Sequence, residues 1–170
     1  MRHRLPKVVY TLRCTHRLLR RLPLAVTTHP VSSTTRLGDW YANVLFLRHQ
    51  QLILCTSERS LLSVIVPAKD PDLLPVRLRN AAQSLFHVLQ LPERSAAAEL
   101  EEMRQLVVGT TVNRSVLGTM NDIVQHCRWH GANRPILDLQ ALELELAEMP
   151  AQSLAFGVPR EQAAALLGAA

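Results

Sequence analysis

Trp40-Tyr41-Ala42-Asn43-Val44-Leu45-Phe46-Leu47 decides how this chain is read. Taken at a period of two, Trp40, Ala42, Val44 and Phe46 fall on one face and Tyr41, Asn43, Leu45 and Leu47 on the other. Both faces are largely apolar, which predicts a central strand covered on both sides. Arg48-His49-Gln50-Gln51 turns the chain without an Asn-Gly or Asp-Gly pair, the usual short-hairpin signal. Leu52 to Thr56 returns as a second strand, and Leu61 to Val66 forms a third that Pro67 stops. The expectation is an antiparallel β-meander.

Working outward, Lys7 to Leu12 is a short β-prone run, and Leu106-Val107-Val108 is a further strand candidate. The meander is therefore expected to hold about three to five strands. Thr15 is placed to cap a basic helix from His16 to Leu22, which Pro23 ends. Residues 23–35 read as a loop. Leu74, Leu78, Ala81, Ala82, Leu85 and Val88 recur at helical spacing. Pro92 opens a second helix, with Ala96, Leu100 and Met103 as its apolar stripe. A third helix runs from about Ser115 to His130, capped by Asn113 or Ser115. Asp138 caps a fourth, and Pro159 starts a short terminal one. Strands segregated from helices give the class α+β, as one domain of 170 residues.

Composition narrows the possibilities. Apolar residues make up 48% of the chain, so it is not a disordered one, and aromatics only 4%, so the core is built mainly from Leu, Val and Ala. No apolar run reaches the ~18–20 residues that span a bilayer, and no membrane partner is expected. Residues 1–38 contain no Asp or Glu and are rich in Arg, Ser and Thr. That loosely fits an organellar transit peptide, but a strand and a helix read well in the same region. Cys14, Cys55 and Cys127 are odd in number and far apart, which points to packed thiols in a reducing cytoplasm. Lys7 and Lys69 are the only lysines, an arginine bias expected of a GC-rich, bacterial genome.

The formal net charge of +5 is unevenly spread. Residues 1–85 hold 13 basic and 4 acidic side chains, a net +9; residues 86–170 hold 6 and 10, a net −4. Arg13, Arg17, Arg20 and Arg21 form a candidate basic patch for an acidic protein or for nucleic acid. The competing readings are a solvated face and attraction between the two halves. Aromatic interleaving is not visible, so stacking of single-stranded bases is not expected.

Two polar stretches are the most specific parts of the chain. Ser33 to Asn43 (STTRLGDWYAN) and Asn113 to Asp122 (NRSVLGTMND) mix glycine, hydroxyls, amide and carboxylate with large apolar residues. Such groups are costly to bury without partners. Thr35, Arg36, Asp39, Asn43, Asn113, Arg114, Ser115, Asn121 and Asp122 are the candidate polar site. Hydroxyls beside Gly38 and Arg36 suit an anion, but the spacing is not that of a phosphate loop, and such turns more often satisfy their own backbone. On the 115–130 helix, Val116, Met120, Ile123, Val124 and Cys127 make the core face. Gly118, Asn121, Asp122 and Gln125 lie opposite. A glycine there costs ~1 kcal/mol against alanine, so something is expected to approach it, either packed backbone or a ligand. Gly118→Leu is then expected to be far more damaging than Gly118→Ala.

No catalytic residue is assignable, since neither a Ser-His-Asp set nor a nucleophile elbow is present. His126 and His130 stand four apart, a metal-sharing spacing, but with no Glu between them and no third ligand nearby in sequence. No metal and no cofactor are expected.

Arg13-Cys14-Thr15-His16-Arg17-Leu18-Leu19, then Ser33 to Asn43, then Asn113 to Asp122, in that order, resemble a family of short bacterial proteins catalogued as a domain of unknown function. The resemblance covers nearly the whole chain, to Pro159 and Ala163. The His49-Gln50 turn departs from it, lacking the glycine expected there. It implies a compact bacterial fold and carries over no catalytic residue. The function expected is that of a cytoplasmic binding protein whose partner is protein or nucleic acid. The alternatives are a small enzyme with its pocket where the two stretches meet, or a structural subunit of a larger assembly.

Overall fold

The strand opening at Trp40 spans Trp40–Leu47 (β2) and is buried on both faces, as its two apolar sets require. The computed structural model describes residues 10–168. β2 turns directly into β3 (Gln50–Ser57), and β3 pairs antiparallel with β4 (Ser63–Pro67). The hairpin loop is only Arg48-His49, both at positive φ (48° and 64°). That is the backbone of a type I′ turn, which glycine and asparagine normally supply. Here the Arg48 guanidinium holds the turn from outside, donating to the carbonyls of Gly131 and Pro135.

The meander is correct for β2 to β4, but the sheet is not wholly antiparallel. A strand at Tyr10–Cys14 (β1) lies between β2 and β5 (Leu106–Thr110) and runs parallel to both, giving the order β4-β3-β2-β1-β5. Parallel neighbours need long crossovers. The β1–β2 crossover uses a single helical turn, α1 (His16–Leu19), and the loop behind it, which bridges Val26 to Val108 beside β5. The predicted first strand began at Lys7; residues 7–9 lie outside the described residues, and the strand continues through Cys14. Thr15 does not cap α1 with its side chain; its hydroxyl donates to Asn43 Oδ1 at 2.8 Å.

Helices cover both sheet faces, making three layers. On one side Leu12, Trp40, Val44, Ile53 and Val64 meet α2 (Leu74–Val88), α3 (Glu93–Glu102) and α6 (Pro159–Gly168). On the other, Tyr41, Leu45, Leu52, Leu54 and Ile65 meet α4 (Arg114–Asn133) and α5 (Leu139–Ala147). The predicted caps are in place on this side. Asn113 Oδ1 accepts from the N–H of Ser115 and Val116, and Asp138 Oδ1 from that of Ala141. The exposed ladder of an edge strand invites further pairing. At β4, Glu143 of α5 accepts the Ile65 N–H at 2.8 Å, and burial pushes its carboxyl up to about 7.

Candidate functional site

The polar groups of the first stretch are spent on the fold. The Thr35 hydroxyl donates to the Gly38 carbonyl at 2.8 Å, and Gly38 takes a φ of +77°. The N–H groups of Arg36 and Leu37 donate to the two oxygens of Glu99 on α3, at 2.8 and 3.0 Å. Burial pushes the Glu99 carboxyl up, against the pull of those two donors. The Arg36 guanidinium reaches the Leu167 carbonyl at 3.0 Å. Asp39 is buried; it accepts the Thr11 N–H at 3.1 Å and Arg13 Nε at 2.8 Å, while Arg13 Nη1 donates to the Thr110 carbonyl at 3.1 Å. Asn43 Oδ1 takes Thr15 Oγ1 and the Val44 N–H, both at 2.8 Å. Two carboxylates thus position this loop, Asp39 through two hydrogen bonds accepted from β1 and Glu99 of α3 through two accepted from the loop itself.

The two stretches do touch: Tyr41 packs in one core cluster with Val116 and Met120, and the Asn113 N–H donates to the Tyr41 hydroxyl at 3.2 Å. They do not pool their polar groups. Arg114, Asn121 and Asp122 stay exposed on α4, while Asp39 is held beneath Arg13. A groove of about 670 Å³ runs along α4, lined by Ser115, Gly118, Asp122 and His126 and faced by the Met149–Ser153 turn. Of the two stretches, only the second contributes to its lining. A Cβ built on Gly118 meets nothing within 4 Å. The expected close approach is therefore overturned, and the glycine leaves open space in the groove.

At the far end of that groove α4 meets α5. His126 and His130, one turn apart, bring their ring centroids to 4.1 Å. Glu145 Oε2 lies 3.6 Å from His126 Nε2 and 3.8 Å from His130 Nδ1. At that separation neither is a hydrogen bond, and His126 Nε2 is buried with no partner. Arg134 holds the other oxygen, Glu145 Oε1, and its Nη2 is 3.1 Å from His130 Nδ1. Burial first, and His130 second, disfavour the imidazolium form of His126, with Glu145 opposing. Desolvation alone would raise the Glu145 carboxyl; Arg134 and the two imidazoles outweigh it and hold it low. Expecting no metal rests on the lack of a third ligand near the histidine pair, and Glu145 removes that ground. It comes from a separate helix, and no sequence spacing ties it to His126.

The basic patch contains three of its four arginines. Arg13 is a β1 residue on the same sheet face as Tyr41, paired with Asp39, and drops out. Arg17, Arg20 and Arg21 are exposed beside the opposite face. The Arg17 guanidinium stands 4.7 Å from the centre of the Phe46 ring and that of Arg21 5.8 Å, with Arg21 Nη1 also donating to Gln51 at 2.9 Å. Phe46 is an aromatic contact that the linear sequence does not reveal.

Fold and sites together define a three-layer α+β domain with a mixed five-stranded sheet. Residues 11–162 match the family described as Domain of unknown function (DUF6933), and the chain belongs to that family. No curated protein and no solved structure matches it.

Proposed function

We propose that the protein works by binding, and that Arg17, Arg20 and Arg21 take an acidic partner. One observation carries this reading. Among the described residues no carboxylate lies within ion-pair distance of these three side chains, and residues 1–9 contain no Asp or Glu. A positive face left unpaired in a protein with many acidic groups elsewhere is available to a polyanion. Phe46 holds two of the guanidiniums by cation–π contact, which limits the side-chain entropy lost on binding. An acidic protein surface suits a patch of three arginines better than nucleic acid, whose non-specific binding rests almost wholly on phosphate contacts that salt weakens.

The cytoplasmic, bacterial setting is part of the same proposal. Its support is the three buried, free thiols and the arginine bias. No helix of the described residues is long and apolar enough to cross a membrane. The enzyme reading lacks its main support, because the polar groups of residues 33–43 are consumed by hydrogen bonds within the fold.

Fluorescence anisotropy with labelled polyglutamate and labelled duplex DNA, at low salt, tests the proposal. Wild type is expected to bind polyglutamate, and the variant with Arg17, Arg20 and Arg21 all changed to glutamine to lose it. No binding of either polyanion at low salt overturns the reading; binding of DNA alone replaces the acidic protein with nucleic acid.

A further inference from the structure

We propose that His126, His130 and Glu145 form a binding site for a divalent transition ion of the zinc class, at the end of the α4 groove. The argument is independent of the basic face. Two imidazoles and one carboxylate are a borderline ligand set. They suit Zn²⁺, Co²⁺ or Ni²⁺, whereas Mg²⁺ and Ca²⁺ prefer oxygen alone. Cys127, between the histidines, is fully buried in the core against the sheet and is not a ligand.

The geometry is close to what such an ion needs. Metal–ligand bonds of 2.0–2.2 Å in a tetrahedron place donor atoms roughly 3.3 Å apart. The two His–Glu145 separations are 3.6 and 3.8 Å, and all three donor atoms lie within 4.8 Å of one another. Closing them takes a few tenths of an ångström at Glu145 and a movement of up to about 1.5 Å between the two rings. The two carboxylate oxygens already divide the work. Oε1 is held by Arg134, and Oε2 faces both rings. Three protein ligands leave a fourth position for water or for an anion entering the groove, since His126 also lines it.

Arg134 is the competitor. Its Nη2, 3.1 Å from His130 Nδ1, occupies the lone pair that the ion requires. Its positive charge also opposes a second cation beside Glu145. The ion must displace Arg134 from His130, and a neutral side chain at 134 makes that unnecessary.

The test uses Co²⁺ and Zn²⁺ titrated into chelator-treated protein. Trp129 stacks edge-on to His130 with centroids 4.8 Å apart, so Co²⁺ at the site quenches its fluorescence. Trp40, buried against the opposite layer, is a reference that stays bright. Wild type is expected to bind one ion, with quenching lost in Trp129→Phe. Glu145→Gln and His130→Ala are each expected to weaken binding at least tenfold, and Arg134→Gln to tighten it several-fold. Each variant's circular dichroism reports that it is folded. No one-to-one binding in wild type or Arg134→Gln overturns the proposal. So does binding that survives both Glu145→Gln and His130→Ala, since the ion is then elsewhere.

Discussion

Gly118 and Gly131 sit on the same helix in opposite surroundings. A Cβ on Gly118 meets nothing, whereas one on Gly131 would lie 2.4 Å from Leu47 Cδ1 and 3.1 Å from its Cγ. Leu47 is buried, so it has little room to move. Gly118→Ala should therefore stabilise the protein by about 0.5–1 kcal/mol through helix propensity alone. Gly118→Leu should not destabilise it, contrary to the expectation from sequence. Gly131→Ala gains the same propensity but overpacks the contact at a cost of about 1–3 kcal/mol, and should be net destabilising. Thermal unfolding of the three variants checks this; a Gly131→Ala protein as stable as Gly118→Ala would show that Leu47 yields freely. From sequence the close approach is expected at Gly118, and the fold puts it at Gly131, past the helix end expected near His130. Helical periodicity places Gly118 on the polar arc, yet only the fold brings the β2 hairpin against Gly131. The same limit applies to Asp39, which reads as part of the candidate polar site until Arg13 and Thr11 are seen to claim both its oxygens.

Among the elements, α3 acts on the 33–38 loop through one carboxylate. Glu99 is 2% exposed and takes two backbone N–H groups, one of them on the fully buried Leu37. Glu99→Ala leaves both donors without an acceptor, and each unsatisfied buried group costs ~1–3 kcal/mol. The expected loss is about 2–4 kcal/mol in urea unfolding. Glu102→Ala on the same helix gives up only a long, exposed contact to Thr34 at 3.4 Å and should fall within about 0.5 kcal/mol of wild type. Similar losses in both would mean that Glu99 contributes only helix packing. Elements of this size were largely readable. Alternation gives β2 to β4, apolar spacing gives α2 to α5, and Asn113 and Asp138 mark the two starts they cap. Pairing was not readable. β1 finds β5 across 96 positions, Tyr10 opposite Leu106, and a five-residue strand carries no local signal of whether its neighbour runs parallel.

Across the whole molecule, the excess of positive charge in residues 1–85 is legible, but which arginines remain available is not. Arg13 is consumed by Asp39 and Arg48 by the end of α4, whereas Arg17, Arg20 and Arg21 keep their charge facing outward. Those three set the salt dependence of any polyanion complex. On duplex DNA each phosphate contact contributes about 0.9 to the slope of log affinity against log salt. Replacing all three by glutamine should then flatten the slope by up to about 2.7. With so few contacts, and no base-reading element on α1, wild-type binding should be weak at physiological salt and equal for unrelated sequences. An acidic protein surface behaves differently. Matched carboxylates around Phe46 exclude water and persist further into salt than bare phosphate contacts, since partly buried pairs are screened less. Salt titrations of polyglutamate and of DNA against wild type and the triple variant should therefore separate the two partners by how steeply each complex is lost. A slope unchanged by the triple substitution would place the contact on other cations. The Arg17–Arg20–Arg21 face would then be a solvated surface whose order comes from Phe46 alone.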